Sequence, residues 1–98
     1  MNGTLMHTNT NRGTQFIKFA KDVLTHVDTY TIPQYGDAPD DMVESWSAEH
    51  VRNQMDKYIK RMANNGRGHE DNLLSCLKIS HYACILMDKL KTEAMKKC

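Results

Sequence analysis

Residues 47–66 read SAEHVRNQMDKYIKRMANNG, and this stretch decides the fold. Ser47 is a credible N-cap, because its hydroxyl can accept from the free N–H groups of a first helical turn, and Glu49 in that turn complements the helix dipole. Val51, Met55, Tyr58, Ile59 and Met62 recur at spacings of three and four and make one apolar stripe. Asn64-Asn65-Gly66 supplies the stop, since glycine tolerates the left-handed backbone that ends helices. The spacing predicts a helix over about 48–64.

Downstream, after Gly66-Arg67-Gly68, a third helix is expected to start near His69 or Glu70 and to run toward Lys96. Its apolar residues, from Leu73, Leu74, Cys76 and Leu77 through Ile79, Tyr82 and Ala83 to Cys84, Ile85, Leu86 and Met87, surround most of the axis. A helix that is apolar nearly all round must be covered on several sides, and two shorter helices do not suffice, so a homo-oligomer is expected. Three cysteines without a Cys-x-x-Cys pair argue against a disulfide framework or a ribbon-type zinc site. Cys76 and Cys84 read as small, buried and inert, and Cys98 is terminal.

Upstream, Thr14 is a candidate N-cap for a helix running to about Thr29, with Phe16, Phe19, Ala20, Val23, Leu24 and Val27 as its stripe. Residues 31–40 contain Pro33, Gly36 and Pro39 and are expected to form an ordered surface loop. Thr29–Tyr35 is the place where an extended segment would be tolerated. Asp40 and Asp41 are expected to open a short helical turn through Met42, Val43 and Trp46. Residues 1–13, rich in Asn, Thr and Gly, are expected to be a disordered or loosely attached leader, and 14–98 a single all-α domain of three principal helices.

A chain of 98 residues, 40% hydrophobic and 26% charged, holds one small domain, which excludes a large multi-domain enzyme. Its formal charge of +1 excludes a histone-like polycation and an acidic disordered tail. There is no apolar run of the ~20 residues a membrane span needs, nor a secretory signal, so a cytoplasmic protein without membrane association is expected.

The charge is unevenly placed. Residues 1–45 carry three basic and six acidic residues, and residues 46–98 carry ten basic and six acidic. Arg52, Lys57, Lys60, Arg61 and Arg67 cluster around Tyr58 and the glycine turn, and Lys57, Lys60 and Arg61 share a helical sector beside it. Guanidinium and ammonium groups beside a helix N-terminus and an aromatic ring suit a phosphate-bearing ligand. Arg61 and Arg67 are the first choices for phosphate contact. Lys57, Lys60 and Lys78 would add electrostatic support, with Arg52 at the edge, and Tyr82 and His81 would contact a base or an interface. The bland alternative is a solvated basic face, with Tyr58 doing packing work on its stripe.

Enzymatic readings find less footing. His81 and Cys84 lie on one helical face, but two ligands do not make a zinc site, and no metal or cofactor is expected. His69-Glu70-Asp71 evokes metal-dependent phosphohydrolases without their further ligands, and Glu70 and Asp71 are more simply first-turn acids. Asp40, Asp41 and Glu44, followed by Glu70 and Asp71, only thinly imitate a magnesium-holding carboxylate set. No Gly-x-x-x-x-Gly-Lys-Ser/Thr loop is present, and Ser75, Ser80 and the cysteines lack a base and orienter.

The segments Trp46–His50, Lys57–Arg61, Asn65–Asp71 and Leu77–Tyr82 resemble a family of small phage-encoded helical domains whose members are often labelled nucleotide kinases. The shared pattern is a Lys-Tyr-Ile-x-Arg helix, a short polar turn with an acidic residue and a Leu-x-Lys-x-x-x-Tyr helix, over about half the chain. The resemblance implies nucleotide handling, while the missing phosphate loop argues against phosphoryl transfer. A phage origin would favour sequestration of a nucleotide, such as a cyclic nucleotide signal, and a role as a host-defence antagonist. The alternatives are a module that binds or inhibits a host protein, a nucleotide-processing enzyme, and a nucleic-acid-binding protein.

Overall fold

The computed structural model describes residues 6–37, 42–64 and 67–96. Among them the chain is all-helical with three long helices and no strand, as the periodicity predicts. Helix α1 spans Asn11–His26, a π turn covers Val27–Thr31, and α2 is Ile32–Tyr35. A 3-10 turn follows at Met42–Ser45, then α3 over Ala48–Ala63 and α4 over His69–Lys96.

Helix α3 forms where its cap and stripe place it. The Ser47 hydroxyl accepts from the His50 N–H at 3.0 Å, and Asn64 closes the helix at its other end. Ser47→Ala is therefore expected to lower stability by about 1 kcal/mol, read as a drop in the urea midpoint. Asn65 and Gly66 lie outside the described residues, and Gly68, at φ 104°, carries the left-handed turn into α4.

The upstream half differs from expectation. Helix α1 starts at Asn11 because Thr10, rather than Thr14, caps it, accepting from the Gly13 N–H at 2.9 Å. The chain does not leave the helix near Thr29, and Thr29–Tyr35 is helical rather than extended. The reason is the π turn, in which the Ile32 N–H donates to the Val27 carbonyl five residues back. Pro33 then stands in the first turn of α2, where a missing N–H costs nothing. The helix stops at Gly36, whose φ of 91° only glycine takes readily. Pro39, Asp40 and Asp41 lie outside the described residues.

The core is small and sits between α3 and α4. Val51 is fully buried and Tyr58 and Tyr82 are each 6% exposed, with Trp46, Met55, Ile79, Ile85 and Leu86 packed against them. Ser75, also buried, lies seven residues before Tyr82 and so shares its face of α4. Three expected core assignments fail. Ile59, at the margin of the α3 stripe, is half exposed. On α1, Phe16 and Leu24 are 61% and 60% exposed, and His26 is the one buried residue of that helix. Cys76 and Cys84 are exposed, because α3 and α1 cover other faces of α4.

Candidate functional site

Aromatic rings run through the molecule from the core to the surface. Tyr58 stacks on Tyr82 at 6.0 Å between centroids, Tyr82 meets Trp46 at 6.2 Å, and Trp46 meets Tyr35 at 5.9 Å and His50 at 4.7 Å. A second pair, His26 and Tyr30, stacks at 5.0 Å. The π turn delivers Tyr30 by carrying the first helix past Val27 in a widened turn, a feature that often accompanies functional sites.

Three cations gather on these rings. Lys57 Nζ lies 5.1 Å from the Tyr58 centroid, Arg61 Cζ 5.1 Å and Lys78 Nζ 4.9 Å. Lys78 Nζ is also 5.0 Å from the centroid of Tyr30, so from α4 it links the π turn to α3. A cation over a ring face is held by the ring quadrupole, a contact worth roughly 0.5–2 kcal/mol depending on desolvation. Among the described residues one carboxylate enters the cluster, Asp71, whose Oδ1 is 4.0 Å from an Arg61 nitrogen. Among the described residues no carboxylate pairs with Lys57 or Lys78.

The sequence-selected residues therefore separate. Lys57, Arg61 and Lys78 converge on Tyr58. Tyr82 lies beneath them with Tyr58 and Trp46 against its ring, so the exposed ring of the cluster is that of Tyr30. Lys60 lies apart and pairs with Asp56 at 2.8 Å, one helical turn away. Arg52 and Arg67 are exposed, and among the described residues neither stands over a ring of the cluster nor forms an ion pair within it. His81 is half-buried and faces two cavities. Tyr30 and His26 join the cluster without having been singled out from sequence, since a contact between residue 30 and residue 78 leaves no local pattern.

Neither of two cavities among the described residues is a common basic hollow of these side chains. The larger cleft, of about 480 Å³, lies between the end of the first helix and the second half of α4. Asp37, Glu44, Asp88 and Glu93 line it beside Lys89 and His81, so its charge is mainly acidic. The smaller cavity, about 10 Å³, is bounded by His26, Tyr30, Lys78, His81 and Tyr82 among others. Arg52, Lys57, Lys60, Arg61 and Arg67 line neither. Among the described residues no three His, Cys, Asp or Glu side chains come together in a way that could hold a metal ion, and no helix is long and apolar enough to cross a membrane.

Burial, more than charge, depresses the pKa of both His26 and His81. Burial lowers the His26 pKa below its ordinary 6.5, and the charges of His81 and Lys78 lower it further. Burial alone lowers that of His81. Burial, then the neighbouring Tyr35 and Tyr58, push the Tyr82 phenol upward, so it stays protonated. A depressed histidine pKa means that the unfolded chain binds protons the folded chain refuses. Stability is then full above about pH 6.5, the unfolded value, and is lost as pH falls from there through the lower folded value. The melting temperature is expected to decline between about pH 7 and 5, and less steeply in His26→Gln; equal slopes would show that His26 carries none of the dependence.

Comparison of the chain with protein-family models, curated proteins and solved structures gives no match.

Proposed function

We propose that the protein is a non-enzymatic binder that sequesters a phosphate-bearing ligand of the nucleotide class on the cationic rim of Lys57, Arg61 and Lys78. One observation carries the reading: three cations from two helices stand about 5 Å from a single tyrosine ring, with one carboxylate among them in the described residues. Phosphate oxygens would replace water on these groups as charge-assisted acceptors. Tyr30, 39% exposed and already under Lys78, offers a face on which a base can stack. A cyclic nucleotide signal would satisfy both features, and a phage antagonist of a host defence is the biological setting that the resemblance of the helical segments suggests.

The test is to incubate the purified protein with nucleoside mono-, di- and triphosphates and cyclic dinucleotides, re-isolate it, and release the ligand by heat. Recovery of an intact nucleotide supports sequestration. Recovery of a converted one makes the protein an enzyme, and no retained nucleotide removes the reading.

A second reading, a module that docks on another protein, is favoured by the exposure of Phe16, Leu24, Leu73, Met87 and Leu90.

A further inference from the structure

The outer face of α4 carries a heptad seam that is largely exposed among the described residues. Leu73, Cys76, Ser80, Ala83, Met87 and Leu90 follow one another at alternating spacings of three and four, with no charge at any of the six positions. Leu73, Met87 and Leu90 are 50%, 58% and 44% exposed, Cys76 and Ala83 are also exposed, and Ser80 is half-buried. A repeat of 3.5 residues keeps such a stripe on one side of a helix and is the pattern by which two helices pair. The small residues at the middle permit close approach there, and the larger ones fill the ends.

The dimensions of the protomer leave room for such a partner. Its accessible surface is 7445 Å², against about 5,700 Å² expected for a compact monomer of 11.3 kDa. Its radius of gyration is 15.2 Å, against about 13 Å for a compact domain of this length.

Charge selects the occupant and its direction. Glu70 and Lys91, both exposed, flank the same edge of the seam at opposite ends, 21 residues or three heptads apart. In a parallel pair positions of this type face the opposite edge of the partner helix, where Lys91 would meet Leu86 of the partner subunit and no opposite charge. In an antiparallel pair Glu70 approaches Lys91 of the partner subunit at both ends, and the two helix dipoles oppose. We propose that α4 is a homodimer interface in which two copies of this chain pair antiparallel through the Leu73–Leu90 seam. The proposal is independent of the ligand reading.

Light scattering and sedimentation equilibrium on the full chain are expected to give twice the mass of one protomer. Ala83→Glu puts a charge at mid-seam on a residue exposed in the protomer. It should retain the helical circular dichroism while weakening association at least about 100-fold. Glu70→Lys or Lys91→Glu alone is expected to weaken it about tenfold, counting both symmetry-related pairs, and the double reversal to restore it. A monomeric wild-type chain at millimolar concentration, or an Ala83→Glu protein that stays dimeric, overturns the interface. A double variant as weak as the singles overturns the antiparallel arrangement.

Discussion

Tyr82→Ala is expected to lose most of the folding free energy, about 3–5 kcal/mol, and to shift the urea midpoint far toward zero. Among the described residues only Val43, Ala48, Val51, Tyr58 and Tyr82 are buried hydrophobics, so the domain has a small reserve, at the lower end of the usual 5–15 kcal/mol. Tyr82 joins the two halves of that core, stacking on Tyr58 from α3 and meeting Trp46 at the helix entrance. Truncation removes both contacts and leaves a cavity that flanking helices cannot close without breaking the α3–α4 packing. Tyr82→Phe keeps the ring and gives up a buried hydroxyl, so it should cost only about 1 kcal/mol. Chemical denaturation followed by circular dichroism separates the two. A Tyr82→Ala cost no larger than that of Tyr82→Phe would mean that the ring is not central to the core.

Replacing Lys78 by glutamine is expected to weaken nucleotide binding about 10–100-fold, the worth of one charge-assisted hydrogen bond, and Lys78→Glu to abolish it. Lys78 occupies the junction of the cluster, about 5 Å from both Tyr30 and Tyr58, with no carboxylate to neutralise it among the described residues. Reversing its sign sets a negative charge where the ligand phosphate would sit. Arg61→Gln should weaken binding similarly and also free Asp71, whose Oδ2 is already buried without a hydrogen-bond partner among the described residues. Its stability therefore has to be measured alongside. Arg52→Gln and Arg67→Gln, at exposed positions that stand over no ring of the cluster among the described residues, are expected to change affinity by less than about threefold, a rim charge being worth little. Calorimetric titration of each variant checks the set.

Much of the architecture was legible because it is local. Ser47 and the 3.6-residue stripe located α3, the polar glycine turn located the start of α4, and Val51 and Tyr58 fell on the stripe that is buried. What escaped the sequence is what depends on neighbours or on backbone geometry. A proline in the middle of a helical pattern reads as a break, and only the π turn before Pro33 lets the first helix continue. Periodicity marks an apolar face without saying what covers it, and so the stripe of α1 and the cysteine-bearing side of α4 read as core although they are exposed in the protomer. The cation cluster was half visible: Lys57 and Arg61, one turn apart, lie on one side of Tyr58. Lys60, three residues from Lys57, instead reaches back to Asp56, a pair available one helical turn away. Lys78 and Tyr30 meet only through tertiary packing.

The most direct measurement is a titration of isotope-labelled protein with a cyclic dinucleotide and with a nucleoside triphosphate, followed by nuclear magnetic resonance. Saturable shifts are expected at Tyr30, Lys57, Tyr58, Arg61 and Lys78, with Arg52 and Arg67 unmoved. Shifts confined to the acidic cleft around Asp88 and Glu93, or none at saturating ligand, would contradict the proposed binding.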